Sequence, residues 1–157
     1  IDTSVWSQAL RRQSSESLST AQERVVNVLK ELIHDSRIAM LGPVRQELLS
    51  GVKTQKKFET LQQILSVFSD EILLKEDYEQ AAKNFNQCRQ GGVQGSNTDF
   101  LICAVSMSRG WPIYSLDKDF LQYQYTQFFQ TLNVWLSLIL TYMNLFPKTK
   151  SASFFSL

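Results

Sequence analysis

Apolar residues along the chain alternate between helical spacing and short unbroken runs. Val25, Val28, Leu29, Leu32 and Ile33 recur at three- and four-residue intervals and so share one helix face. Thr20-Ala21-Gln22-Glu23 in front of them predicts a capping box. A shorter helix is predicted over residues 5–10. Asp2-Thr3-Ser4 would end a strand and cap this helix, since short oxygen side chains accept from unpaired helix amides. Phe58, Leu61, Leu65 and Phe68 mark a further helix, and Tyr78, Ala81, Ala82 and Phe85 mark one that ends at Gly91-Gly92. After the loop Gly95-Ser96-Asn97-Thr98, residues 100–107 are nearly all apolar. That is the pattern of a buried helix, with Asp99 at its start and Arg109-Gly110 at its close.

The unbroken runs fall between these helices. Residues 38–41, ended by Gly42-Pro43, predict a buried strand. Pro43 suits the first turn of the next helix, which carries Val44, Glu47 and Leu48 and stops near Gly51. Residues 72–74 predict a second strand, and residues 112–116, bounded by Pro and Asp, a third. Strands alternating with helices favour a parallel sheet covered on both faces. Residues 14–19 read as a polar linker. Gly91-Gly92-Val93-Gln94-Gly95 lacks the lysine and the preceding strand of a phosphate-binding loop.

A length of 157 residues fits one domain with a core of useful size. Hydrophobic residues at 43% and charged residues at 20% describe a globular chain. A net charge of +1 leaves nucleic-acid binding open, where a strongly basic chain would have favoured it. Cys88 and Cys103 lack metal-ligand spacing and make no disulfide framework, so a reducing, cytoplasmic location is expected. A single histidine, His34, excludes sites that need several imidazoles. Ile1-Asp2-Thr3-Ser4 has no secretory character and no initiator methionine, which leads us to expect a chain truncated at its front.

Four acidic residues stand where an α/β site belongs. Asp2 would end a first strand, Asp117 follows the strand before it, and Glu47 and Asp99 lie on helices that open after Gly42-Pro43 and after Thr98. Ligands of open α/β sheets bind beyond the carboxyl ends of the strands, where carboxylates distant in sequence can meet. Several carboxylates in one pocket repel each other and oppose folding unless a cation joins them. Oxygen donors without histidine or thiolate select magnesium or manganese. Each aspartate taken alone also suits a helix cap or turn. Glu47, between Val44 and Leu48, has no capping task, although a solvated helix face would also hold it.

Four segments together resemble the motifs of PIN domains. Ile1-Asp2-Thr3-Ser4 resembles the first and Gln46-Glu47-Leu48-Leu49-Ser50-Gly51 the second. Thr98-Asp99-Phe100-Leu101-Ile102-Cys103-Ala104 resembles the third, and Ile113-Tyr114-Ser115-Leu116-Asp117-Lys118-Asp119-Phe120 the last. All four occur in order, and the likeness is greatest to the small VapC-type toxins of prokaryotic toxin–antitoxin pairs. The resemblance implies a three-layer α/β/α fold with a parallel sheet and a metal-dependent endoribonuclease activity. It implies magnesium or manganese held by Asp2, Glu47, Asp99 and Asp117, with Asp119 in support, and Thr3 or Ser4 and Thr98 bonding these carboxylates. It also implies an RNA substrate, an antitoxin partner that blocks the site, and homodimers. Arg45, near Glu47, is a candidate contact to the RNA backbone, with a solvated surface position as its other reading.

The resemblance covers residues 1–120. The first strand should precede Asp2 and is expected to be truncated. Residues 121–157 form an atypical tail, with no charge from Phe120 to Pro147. A membrane helix within residues 128–147, a packed or dimerising helix, and an end replaced by a frameshift are its three readings, the third preferred. The alternative to a ribonuclease is an inactive PIN-fold remnant that serves only as a binding module. A phosphatase with Asp2 as nucleophile would want a second aspartate beside it, which Asp2-Thr3-Ser4 lacks.

Overall fold

The chain runs α1 (Thr3–Leu10), α2 (Thr20–His34), α3 (Gly42–Leu49), α4 (Gln55–Leu65), α5 (Lys75–Gln90), α6 (Asn97–Arg109), β1 (Ile113–Ser115), α7 (Asp119–Tyr125) and β2 (Val134–Leu136). This computed structural model describes residues 1–10, 19–125 and 134–136. The linker over residues 14–18 and most of the tail lie outside the described residues.

Helix α6 is the centre of the core. Every side chain from Phe100 to Ser106 is buried, so the middle of this helix has no solvent face. It packs against α5 on one side and β1 on another. Gly110 ends it in the left-handed region at φ 65°, where a Cβ would be strained. On α1, Val5 and Trp6 turn inward, and Trp6 meets Phe68 edge-on at 5.1 Å.

Several expectations are corrected. The capping box of α2 belongs to Ser19 and Gln22, one residue earlier than the sequence pattern suggests. The inward stripe of α5 is Asp77, Ala81, Asn84 and Cys88, while Tyr78 is 51% exposed. An ion pair explains the rotation. Asp77 is buried against Arg109, so a charged residue takes the place that an apolar reading gives to Tyr78.

Strand pairing is also sparser than the apolar runs suggest. Residues 38–41 contribute one parallel bridge, Met40 to Asp70, before Leu41 caps α3. Residues 72–74 are not a strand; Leu73 turns to the core while Ile72 and Leu74 are exposed. β1 and β2 pair in parallel, with Ile113, Tyr114 and Ser115 opposite Val134, Trp135 and Leu136. Part of the tail is therefore a strand beside β1. No helix among the described residues is long and apolar enough to cross a membrane.

Candidate active site

The amide of Asp2 donates to the Tyr114 carbonyl at 3.0 Å, which hangs the start of the chain on β1. α1 begins at Thr3, so Asp2 directly precedes its first turn. The carboxylate of Asp2 accepts the Ser4 amide at 3.2 Å, and also the Ser4 hydroxyl. Asp2 thus caps the first turn of α1.

Ser115 completes the arrangement. Its hydroxyl donates to Asp2 Oδ2 at 2.8 Å and accepts the Asp117 amide at 2.9 Å. Ser4 Oγ also accepts the Leu116 amide at 3.0 Å. Two hydroxyls therefore bind Asp2 to the turn that carries Asp117. Asp2 is buried, whereas Asp117 is exposed at the end of β1. Asp117 Oδ1 accepts the Asp119 amide at 2.9 Å and so shapes the acid-x-acid turn.

Asp99 enters from the first turn of α6. Its carboxylate accepts the Ser96 amide at 2.8 Å, and Ser96 Oγ accepts the Asp99 amide at 3.1 Å. Burial pushes the Asp99 carboxyl above its ordinary value, the bonds to Ser96 oppose this, and the charges of Asp2 and Asp117 push it further up. The charges of acids on two other segments thus reach Asp99. Glu47, exposed on α3, is tied to the same end of the molecule by the Thr3 hydroxyl at 3.0 Å.

Two assignments change. Thr98 makes no hydrogen bond to these carboxylates among the described residues; Ser96 faces Asp99 instead, and Ser115 serves Asp2. Ser115 was detectable as a hydroxyl in an otherwise apolar strand, two residues before Asp117. Arg45 is half-buried and bonded within the chain. Its guanidinium donates to Asp70 at 2.8 Å and to the carbonyls of Leu65 and Phe68 at 2.8 and 2.5 Å. It therefore pins the end of α4. Arg45→Ala should lower stability by about 1.5–3 kcal/mol, the worth of charge-assisted hydrogen bonds. Urea denaturation measures this loss.

The donor set suits a hard divalent cation, being oxygen throughout, with the Asp99 carboxylate disfavoured first by burial and then by the charges of Asp2 and Asp117. As placed, no three acidic, histidine or cysteine side chains among the described residues stand close enough to share an ion. The raised Asp99 carboxyl gives a thermodynamic test. A raised carboxyl pKa in the folded state is a penalty, fully present above that pKa and gone below the unfolded value near 3.8. Asp99→Asn should therefore raise Tm at neutral pH without metal, and the gain should vanish in acid. The variant should also gain less than the parent chain from added magnesium or manganese. Calorimetric melts at pH 7 and pH 3 read both effects.

These features describe an α/β domain in which Ser4 and Ser115 join Asp2 to the turn carrying Asp117 at the end of β1, with the charges of both acids reaching Asp99 at the start of α6. The chain belongs to the PIN domain family, whose model matches residues 1–124. It is 31% identical over 125 residues to VapC ribonuclease Mb1587 of Mycobacterium bovis, a match covering 76% of this chain and 87% of that one. Ribonuclease VapC11 of Mycobacterium tuberculosis, from strains CDC 1551 and H37Rv, matches to the same extent. The family resemblance read from the four motifs is borne out.

Proposed function

We propose that this chain is a metal-dependent endoribonuclease, restrained by an antitoxin protein. Asp2, Glu47, Asp99 and Asp117 would hold magnesium or manganese, with Asp119 in support and Thr3 and Ser4 fixing the carboxylates. The observation that carries this reading is the pair of serine hydroxyls, Ser4 and Ser115, that hold Asp2 and join it to the turn carrying Asp117. The kinship with VapC ribonucleases points to the same chemistry.

When bound, the ion would supply Lewis acidity, making a water acidic enough to attack and offsetting charge on the phosphodiester. The protein's own part is geometric. Ser4 and Ser115 donate their hydroxyl protons to Asp2, which keeps that carboxylate aimed. Asp99 is held by its reciprocal bonds to Ser96.

Hydrolysis by an in-line water leaves a 5′-phosphate and a 3′-hydroxyl. Incubation of structured RNA with the protein and magnesium, followed by end-group analysis, tests this. Products ending in a 2′,3′-cyclic phosphate would contradict it, because they require attack by the RNA's own 2′-hydroxyl.

A further inference from the structure

Tyr123 is fully buried on α7 between the two segments that carry Asp99 and Asp119. Its ring lies 5.1 Å from Phe100 and 5.6 Å from Phe120, the residues that follow those two acids. Its hydroxyl donates to the Gln94 carbonyl at 3.1 Å. The next residue, Gly95, lies so close to the Tyr123 hydroxyl that a Cβ there would overlap it. Ser96 then follows, and it shares reciprocal hydrogen bonds with Asp99. From these contacts we infer that Tyr123 is a positioning residue for the metal site, holding Asp99 in place through Gln94, Gly95 and Ser96.

The inference rests on the proposed metal-dependent reading, with Asp99 as a ligand. One carboxylate oxygen of Asp99 is occupied by the Ser96 amide, so the direction of the other depends on where residues 94–96 sit. Tyr123 sets that place in two ways. The hydroxyl anchors the Gln94 carbonyl, and the ring closes the space beside Gly95. The charges of Asp99, Asp119 and Asp117, after burial, all push the Tyr123 hydroxyl up, which keeps it a donor.

The test is manganese binding to the full-length chain, read by calorimetry and by the electron paramagnetic signal of unbound Mn2+. Tyr123→Phe removes only the hydroxyl. It should weaken manganese binding roughly ten-fold, the usual effect of losing a partner behind a metal ligand. Cleavage at saturating metal should fall far less than the affinity. Ser96→Ala, at an exposed helix cap, tests the last link should Tyr123→Phe not fold. It should weaken manganese binding in the same direction, and Ser96→Thr should restore it. Unchanged manganese affinity in Tyr123→Phe or in Ser96→Ala, with the parent chain binding normally, overturns the inference alone. A parent chain that binds no manganese overturns the functional reading, and the inference with it.

Discussion

Replacing Asp117 by asparagine should reduce RNA cleavage by at least about a hundred-fold, since loss of a partner behind a ligand already costs roughly ten- to a hundred-fold. The fold should survive. Asp117 is exposed, and the hydrogen bond that its carboxylate accepts from the Asp119 amide can be accepted equally by an asparagine carbonyl. What disappears is negative charge at the end of β1. Asp2→Asn should give a similar loss, since its three donors, Ser4 N–H, Ser4 O–H and Ser115 O–H, can all face an amide oxygen. The double variant should be little worse than the poorer single one, because groups that hold one ion act as a unit. Initial rates on a labelled RNA, with melting curves to confirm folding, provide the check. Two losses that multiply would instead mark two independent roles.

The largest effect on stability is expected far from that site. Asp77 has 5% of its side chain exposed and receives two Arg109 N–H groups at 3.0 Å, the Ser108 hydroxyl at 3.2 Å and the Leu74 amide at 2.9 Å. Arg109 also reaches Glu71 and the Ile72 carbonyl at 3.0 Å, and lies over the Trp111 ring. The ion pair therefore ties α5, α6 and residues 71–74 together. Arg109→Ala should cost about 3–5 kcal/mol, because it strands a buried carboxylate. Replacing both partners, as Asp77→Leu with Arg109→Met, should cost less than that single change, since no unpaired charge is left behind.

The same pair fixes a pH dependence. The Arg109 hydrogen bonds hold the Asp77 carboxyl below its ordinary value near 3.8. A depressed carboxyl contributes stability that is complete above the unfolded value and is lost as pH falls through the folded one. The Arg109→Ala penalty measured by urea denaturation should therefore shrink below about pH 4.

The acids of the candidate site stood out in the sequence because each marks a boundary. Asp2 precedes a helix, Asp99 opens an apolar one, and Asp117 ends an apolar run. Such boundaries carry local signals that a single chain displays. Helix existence was legible for the same reason. The partners of these acids were not, because they are tertiary. Nothing near Tyr123 in sequence says that its hydroxyl reaches Gln94, and nothing near Arg45 says that it caps α4. Asp77 shows the clearest failure. A buried charge reads as a solvated one until its counter-ion, 32 residues away, is in place. The short strands were over-read because strand pairing depends on neighbours that a run of apolar residues does not display.

The central claim is that these carboxylates work through a divalent ion on RNA. Its most direct measurement is a single cleavage time course on structured RNA by the full-length protein. Magnesium is present at first, is then removed by excess chelator, and is finally restored in excess of the chelator. Cleavage that stops on chelation and resumes on restoration, and that is lacking throughout in Asp117→Asn, is the expected result. Cleavage that continues in chelator, or a well-folded protein that cleaves none of several RNAs with magnesium or manganese, would contradict it.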